Sequence, residues 1–273
     1  MSSFRFDFGA ADNATDACGA VAPAAAPATA AGVDDVSAAP QRPIIRIAAV
    51  PPAAAAGPTR VVEAGGERFD LAVADESQVV EAGVYEGGRE LWECAVDLVE
   101  WLAANRAGLR LTGPYGTVLE LGCGRGLPGL WCLRRGLDVV FSDYDADVLV
   151  RYTRRDAARV GGRAFFYGGD WRGLPAALRG GGFGTFDLIL SAETAYREDT
   201  ARSLVECIAR TLSRDGEAVV ATKRYYFGCG GGVAALENEI GRIDRLCCEV
   251  VWSAEDGRSN VRDIVRVFWR KDG

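Results

Sequence analysis

Histidine is absent from this chain of 273 residues. Its absence excludes mechanisms that need an imidazole from the protein itself, whether as a general base, as a member of a catalytic triad or as a haem ligand. A group transfer in which the co-substrate already carries an activated leaving group remains possible, because the protein then has mainly to position the nucleophile.

Signals for metal binding and for membranes are also missing. The eight cysteines form no Cys-x-x-Cys pair, and without histidine they cannot build a familiar zinc site. Most of them stand in apolar surroundings, as buried free thiols do. The sequence shows no signal peptide and no apolar span of about 18 residues. We therefore expect a soluble intracellular protein in a reducing compartment, with no metal site and no membrane contact.

Basic residues are outnumbered by acidic ones. The chain carries 31 Lys and Arg against 38 Asp and Glu, a formal net charge of −7. This balance argues against direct binding of nucleic acid and suits a basic protein partner.

Large apolar residues are scarce in the first part of the chain. Residues 1 to about 75 are rich in Ala and Pro, which predicts a mostly disordered tail with a short aromatic motif at Phe4, Phe6 and Phe8. Residues 76–273 are predicted to form one α/β domain.

Strand and helix patterns alternate from about residue 92 onward. Strands are predicted at 117–121, 138–142, 164–167, 186–191 and 217–223, with two closing strands at 247–253 and 261–269. Helices are predicted over Trp92–Leu102 and at 127–136, 145–160, 199–213 and 233–246. This alternation predicts a doubly wound, mainly parallel seven-stranded sheet of the Rossmann-like type, ending in an antiparallel hairpin.

The segment Thr117–Leu130, TVLELGCGRGLPGL, joins an apolar strand to a helix through a glycine-rich turn. Gly122 and Gly124 allow the backbone to turn sharply and to approach a ligand. The acidic Asp143 follows about 20 residues later, at the distance at which doubly wound folds place a carboxylate on the ribose of a nucleoside. The turn lacks the Lys-Ser/Thr pair of a phosphate loop, which argues against ATP.

Polar residues follow four of the predicted strands, and the carboxyl ends of parallel strands are where such folds bind ligands. Asp143 would bind the ribose hydroxyls, Asp170 would accept from an adenine amino group, and Trp171 would stack on the base. Helix capping is the alternative role for each carboxylate. The residues at these strand ends are Gly122, Cys123, Gly124, Ser142, Asp143, Tyr144, Gly169, Asp170, Trp171, Ser191, Glu193, Thr194 and Tyr196.

Several of these motifs, in their order along the chain, resemble those of a known protein family. Glu120-Leu-Gly-Cys-Gly124 resembles the nucleoside loop of class I S-adenosylmethionine (SAM) methyltransferases. With Tyr85-Glu-Gly-Gly88, Trp92-Glu-Cys94 and Tyr226-Phe-Gly-Cys-Gly-Gly-Gly232 in the same order, residues 79–270 resemble the eukaryotic histidine protein methyltransferase family. One departure is Tyr225, which stands where the family is expected to have histidine.

The resemblance implies SAM-dependent methylation of a histidine ring nitrogen in a large-subunit ribosomal protein, with S-adenosylhomocysteine as product. It further implies a chain that acts as a monomer in the cytoplasm and nucleus, without direct contact with nucleic acid. The SAM contacts that it implies, together with the glycine turn, are Leu91, Trp92, Glu93, Cys94, Ala95, Gly122, Gly124, Ser142, Asp143, Tyr144, Gly169, Asp170, Trp171 and Ser191.

Glu193 and Tyr196 are candidate catalytic residues, since a carboxylate or hydroxyl near the methyl group can fix the tautomer of an acceptor imidazole. Tyr226 is the third candidate, and with Phe227 it would form an aromatic wall over the substrate channel unless both are core residues. Glu193 could instead cap the following helix, and Tyr226 could be a core residue. The run Gly230–Gly232 fits either a flexible lip or a tight entry to a helix. A protein lysine methyltransferase and a non-catalytic SAM-binding module remain alternatives. RNA methylation is a weaker alternative function, because no Asn/Asp-Pro-Pro-aromatic motif follows the fourth strand.

Overall fold

The computed structural model describes residues 42–73, 87–105, 117–257 and 260–271. Its first elements are β1 (Ile45–Ile47), a 3-10 turn (Pro52–Ala55), β2 (Thr59–Ala64), β3 (Glu67–Ala72), α1 (Glu93–Asn105), β4 (Thr117–Leu121), α2 (Leu127–Leu133), β5 (Asp138–Asp143) and α3 (Ala146–Val148). A π-helical turn (Leu149–Thr153) leads into α4 (Arg154–Val160), β6 (Ala164–Gly168), α5 (Leu174–Gly180), β7 (Phe186–Ala192), α6 (Glu198–Thr211), β8 (Leu212–Lys223), α7 (Val233–Gly241), β9 (Leu246–Ala254) and β10 (Arg262–Trp269).

Eight of these strands form one sheet in the order β1-β6-β5-β4-β7-β8-β10-β9. Strands β4 to β8 are mutually parallel, whereas β10 runs antiparallel to both β8 and β9. The chain moves outward from β4 through β5 and β6, then returns to the other side of β4 with β7. The strand order therefore reverses beside β4, which confirms the predicted doubly wound sheet with its terminal hairpin.

Apolar side chains cover both faces of the sheet. Val118 and Leu119, neighbours on β4, are fully buried on opposite faces, each in a separate core cluster. Helices α1, α2 and α4 cover one face, and α5, α6 and α7 cover the other. Because the central strands are buried on both sides, their sequences are nearly continuous apolar runs, which made them visible in the sequence.

The amino-terminal region differs from the prediction of a tail to about residue 75. Strand β1 pairs antiparallel with β6 and becomes the eighth strand of the sheet, while β2 and β3 form a separate hairpin. Phe69 and Leu71 of β3 are buried in the core, whereas Arg68 and Asp70, at the alternate positions, are exposed. This alternation is typical of a strand with one buried face, and the surrounding Ala and Pro obscured it. Residues 1–41, including the Phe4–Phe8 motif, lie outside the described residues.

Several helix boundaries also differ from the prediction. Helix α5 was not expected, and the predicted helix at 145–160 is divided by the π-helical turn. Helix α1 begins at Glu93, so Trp92 precedes it, and Trp92 is 40% exposed. The residues that α1 buries are Cys94, Leu98, Val99 and Leu102. Among the residues that the structure describes, none of the helices is long and apolar enough to cross a membrane.

Candidate active site

A cavity of about 320 Å³ opens at the carboxyl ends of β4, β5, β6 and β7, where the strand order reverses. Many of the residues that the sequence predicted for a cofactor or for catalysis line it. These are Leu91, Trp92, Ala95, Gly122, Gly124, Asp143, Tyr144, Gly169, Asp170, Trp171, Glu193 and Tyr196. The volume is within the usual range for a site that holds a small molecule.

The glycine turn after β4 is held too tightly for side chains. Gly122 and Gly124 have φ of +62° and +48°, in the left-handed region that favours glycine. A Cβ at Gly122 would lie 2.4 Å from Cγ2 of Thr194, and one at Gly124 would lie 2.9 Å from the carbonyl oxygen of Gly88. Of the motif Tyr85-Glu-Gly-Gly88, only Gly87 and Gly88 are among the described residues.

Asp143, at the end of β5, orients the glycine turn. Its Oδ2 accepts a hydrogen bond of 2.8 Å from the Gly124 amide, and its Oδ1 accepts one of 2.9 Å from the Asp145 amide. The residue is 6% exposed and faces the cavity. Helix α3 is capped by Asp145, whose side chain accepts from the Asp147 amide, so Asp143 is not its cap.

Asp170 and Trp171 follow β6 on the same side of the cavity. Burial opposes ionisation of Asp170, but hydrogen bonds from the side chain and amide of Arg172 outweigh it and lower the pKa of the carboxyl. Helix α5 has Gly173 at its N-cap, so Asp170 is not a helix cap either. The buried indole Nε1 of Trp171 has no hydrogen-bond partner among the described residues.

The segment leading into β1 covers this end of the cavity, which the sequence did not indicate. The Arg42 carbonyl accepts a hydrogen bond of 3.1 Å from the Asp170 amide. A Cβ at Gly169 would lie 2.5 Å from the carbonyl oxygen of Pro43. The Arg42 guanidinium lies 4.7 Å from the ring centroid of Tyr144, a cation–π distance.

Some predicted site residues stand outside the cavity lining. Glu93 is exposed on α1, while Cys94 and Ser142 are fully buried. Ser191 is also fully buried, and its hydroxyl donates a bond of 2.8 Å to the Leu121 carbonyl and lies 2.6 Å from Oγ1 of Thr194. The Ser191 side chain thus connects β7 to β4 beneath the glycine turn. Thr194, which the sequence places at a strand end, lines the cavity, and Glu120, Arg125 and Arg197 line it without having been predicted as contacts.

Glu193, just after β7, has an unusual backbone and a confined carboxylate. Its φ is +58°, which costs a residue with a side chain about 1–2 kcal/mol, and its amide donates to the Ala221 carbonyl at 2.9 Å. The Tyr226 hydroxyl donates to Oε2 at 2.6 Å, and Nζ of Lys223 lies 3.7 Å from Oε1. The N-cap of α6 is Arg197, so Glu193 does not cap that helix.

The two oxygens of Glu193 differ in their contacts. Oε1 is buried, and none of the described residues donates a hydrogen bond to it. Tyr226 lies behind the carboxylate, outside the cavity lining, and its ring meets that of Tyr196 edge-on at 6.4 Å. Burial and the charge of Glu193 raise the pKa of Tyr226, so its hydroxyl remains a donor at neutral pH.

The run Gly230–Gly232 is a close contact between two loops. The Gly232 amide donates to the Ala195 carbonyl at 2.8 Å. A Cβ at Gly231 would lie 2.1 Å from the carbonyl carbon of Tyr196, and one at Gly232 would lie 2.4 Å from the Arg224 carbonyl oxygen. The run is therefore a tight entry to α7 that also positions Tyr196. Phe227, in the same loop, is 82% exposed and does not belong to the core.

Replacing Gly231 with alanine should displace the loop from Tyr196. Because a misplacement of about 1 Å at a reacting centre can cost about 10²-fold in rate, we expect a loss of that order in single-turnover methyl transfer. Gly241→Ala is the matched control, since a Cβ there meets no atom within 4 Å. Equal rates for the two variants would show that the contact is not needed for activity.

Glu120 is the buried carboxyl group of the glycine motif. Its Oε2 accepts a bond of 2.9 Å from the Gly129 amide at the start of α2. Burial raises the pKa of Glu120 well above its ordinary value, against the opposing effect of this hydrogen bond.

A pH dependence of stability follows from the raised pKa of Glu120. Above the ordinary glutamate pKa of about 4.3, and up to the raised folded-state pKa, the folded chain binds more protons than the unfolded one, so this group destabilises the fold as pH rises. Glu120→Gln should remove that dependence. In urea unfolding without cofactor, the variant should gain stability relative to the native chain as the pH rises from about 5 to about 8. An equal difference at both pH values would contradict the assignment.

Comparison with known proteins places the chain among methyltransferases. A family model described as lysine methyltransferase matches residues 74–227. The chain is 38% identical over 188 residues to the histidine protein methyltransferase 1 homologue of Dictyostelium discoideum, covering 68% of this chain and 59% of that protein. It is 34% identical over 200 residues to the mouse homologue, covering 62% and 54% respectively. The chain thus spans between half and two thirds of these relatives' lengths.

A solved structure supports the fold. A Streptococcus mutans protein assigned to the SAM-dependent methyltransferases superposes with a TM-score of 0.54 at 10% identity, covering 78% of this chain and 56% of that protein. At this identity the likeness concerns the fold alone. It agrees with the doubly wound sheet described above.

Proposed function

This chain belongs to the methyltransferase family described as lysine methyltransferase, whose model matches residues 74–227, and we propose that its acceptor is a histidine ring nitrogen in another protein. The similar proteins of Dictyostelium discoideum and mouse, which are named for histidine, support this acceptor. The methyl donor is SAM, which family membership supports as the cofactor. When bound, SAM supplies a methyl group on a positively charged sulfur that leaves as neutral S-adenosylhomocysteine.

The cavity fits SAM by its shape and by its donor set. The backbone at Gly122 and Gly124 lines the cavity without side chains, so a nucleoside could approach it closely, and the oriented carboxylate of Asp143 faces the same cavity. Asp143 would hold the ribose hydroxyls, since charge-assisted hydrogen bonds are the strong ones. Trp171 would stack on the adenine, and Leu91, Trp92 and Ala95 would line the methionine end.

The observation that carries the acceptor assignment is the buried Oε1 of Glu193, which no described residue supplies with a hydrogen bond. A buried carboxylate oxygen without a donor is unfavourable, so an N–H from the substrate would satisfy it. A neutral imidazole has one N–H and one basic ring nitrogen. With its N–H on Oε1, the ring would be held in one tautomer and its second nitrogen would face the cavity.

The remaining steps need little from the protein. Imidazole has a pKa of about 6.5 and is largely neutral at pH 7, so its free nitrogen can attack directly. The new N–C bond forms as the methyl–sulfur bond breaks, and the positive charge moves from sulfur to the ring. Glu193 stabilises that charge through the N–H that it holds, and the proton then leaves to solvent. Tyr226 keeps the carboxylate in place through Oε2.

Lysine is the second candidate acceptor, because the matching family model carries that description. Its ordinary pKa of about 10.4 requires that a proton be removed before attack, which a neutral imidazole does not. The relatives from Dictyostelium discoideum and mouse are named for histidine, which favours the first candidate. A module that binds SAM without transfer is the third possibility, and the confined carboxylate of Glu193 argues against it.

We further propose a basic large-subunit ribosomal protein as substrate, with the enzyme acting as a monomer in the cytoplasm and nucleus. The net charge of −7 suits a basic protein. No direct contact with nucleic acid is needed for this reaction.

The test is transfer of labelled methyl from SAM, by the purified full chain, into a ribosomal and pre-ribosomal fraction, followed by hydrolysis to amino acids. Because the chain contains no histidine, any labelled methylhistidine must come from the added fraction. Label in methylhistidine of one protein supports the proposal. Label in methyllysine replaces the acceptor, and no label, with SAM binding confirmed by calorimetry, supports the non-catalytic module.

A further inference from the structure

Lys223, the last residue of β8, stands beside the proposed acceptor position. Its Nζ lies 3.7 Å from Oε1 of Glu193 and 5.9 Å from the ring centroids of Trp92 and Tyr226. The side chain is 21% exposed, and that of Glu193 is 5% exposed. The pair is therefore screened by water less than an ordinary surface ion pair.

The choice of lysine at this position is informative. The chain has 31 basic residues, and only Lys223 and Lys271 among them are lysines. An arginine fork would bind the carboxylate with two parallel hydrogen bonds and would occupy both oxygens. The compact ammonium of Lys223, at 3.7 Å, compensates the charge of Glu193 without donating a hydrogen bond to Oε1.

Two further groups at this end of the cavity, the Cys94 thiol and the Tyr226 hydroxyl, are neutral. Burial, together with the charge of Glu193, raises the pKa of the Cys94 thiol and of the Tyr226 hydroxyl, so neither carries charge at pH 7. Asp97, also on α1, is paired with Arg262. The negative charge of Glu193 and the positive charge of Lys223 thus nearly cancel where the acceptor would bind.

We infer that Lys223 is a specificity-determining residue that makes the site accept a neutral imidazole and reject a protonated lysine. The inference rests on the proposed function. An incoming ammonium would approach Glu193 within a few ångströms of a like charge, and like charges disfavour the charged form of each other. A neutral ring meets no such repulsion and still donates its N–H to Oε1. Without Lys223, the uncompensated carboxylate would attract cations.

The experiment compares Lys223→Met with Lys223→Arg and with Lys271→Met. Lys271 is the matched control, because it is exposed, pairs with Asp215 at 3.2 Å and does not line the cavity. Each purified full chain is given labelled SAM and the ribosomal fraction, and the ratio of methylhistidine to methyllysine is measured. Inhibition of transfer by n-butylammonium at pH 7 is measured beside it, as a probe of cation binding.

Lys223→Met should lower the methylhistidine to methyllysine ratio by about tenfold or more, equivalent to about 1.4 kcal/mol of lost repulsion between Lys223 and an incoming ammonium. For the same reason, n-butylammonium should inhibit this variant more strongly than the native chain, again by about tenfold or more. Lys223→Arg should keep the native weak inhibition by n-butylammonium, because the positive charge remains, but should lower methylhistidine formation, because its fork would occupy Oε1. Lys271→Met should match the native chain. If Lys223→Met does not fold, Lys223→Gln takes its place.

An unchanged ratio together with unchanged n-butylammonium inhibition would overturn the inference, even where methylhistidine formation falls. Failure of the proposed function is distinguishable from this result. In that case the native chain itself forms no methylhistidine, whatever the Lys223 variants do.

Discussion

Glu193→Gln is expected to leave the affinity for SAM within about twofold and to lower the single-turnover rate of transfer about 10²-fold, the lower end of the effect of a positioned acid or base. The amide would keep an oxygen at this position but would lose the negative charge that stabilises the developing imidazolium. Its NH₂ group could also face the acceptor N–H, which would be repulsive. The ion pair with Lys223 would be lost as well.

The measurement is a rapid-quench single turnover with saturating SAM, beside calorimetry of SAM binding. Glu198→Gln is the matched control, since Glu198 is exposed at the start of α6 and does not line the cavity. Tyr226→Phe should give an intermediate loss, because it removes the donor to Oε2 and keeps the ring. If Glu193→Gln turns over at the native rate, the carboxylate has only a structural role.

Asp143→Ala is expected to weaken SAM binding by about 10²-fold or more. Hydrogen bonds to a charged group contribute roughly 1.5–3 kcal/mol each, and two ribose hydroxyls would lose their partner. The change also leaves the Gly124 amide without its acceptor, so the turn that faces the cofactor loses its orientation. Both effects weaken the binding of SAM, independently of any effect on the chemical step.

Calorimetry of the purified variants checks this expectation. Asp143→Asn should lose less than Asp143→Ala, because one amide oxygen can still accept from Gly124. Asp145→Ala controls for the turn itself, since Asp145 caps α3 by accepting from the Asp147 amide and does not line the cavity. Near-native affinity of Asp143→Ala would remove Asp143 from the site.

The sequence predicted the parts of the fold that depend on local pattern. The central strands β4, β5 and β7 are largely apolar and buried along most of their length, and the turn at Gly122 and Gly124 needs a backbone that only glycine adopts easily. Because parallel strands end at one edge, Asp143, Asp170 and Glu193 could be expected to converge. The structure places all three around one cavity.

The parts that escaped the sequence depend on contacts between distant residues. Nothing local to Lys223 shows that its ammonium lies beside Glu193, 30 positions earlier. Ser191 stands near the end of β7, as the other predicted contacts stand near strand ends, yet its hydroxyl donates to the Leu121 carbonyl instead of facing the cavity. The strands at 45–47 and 59–72 were hidden by Ala and Pro, since composition carries no information about which residues alternate.

The antiparallel pairing of β1 with β6 has a consequence for the order in which the protein acquires its structure during translation. Ile45 pairs with Gly168, which lies 123 positions further along the chain. At roughly 5–20 residues per second, the ribosome adds that partner about 6–25 s after Ile45. Until then β1 has no strand to join, and Arg42 cannot meet Asp170. The nascent chain therefore carries β1 unpaired while the 123 residues up to Gly168 are added.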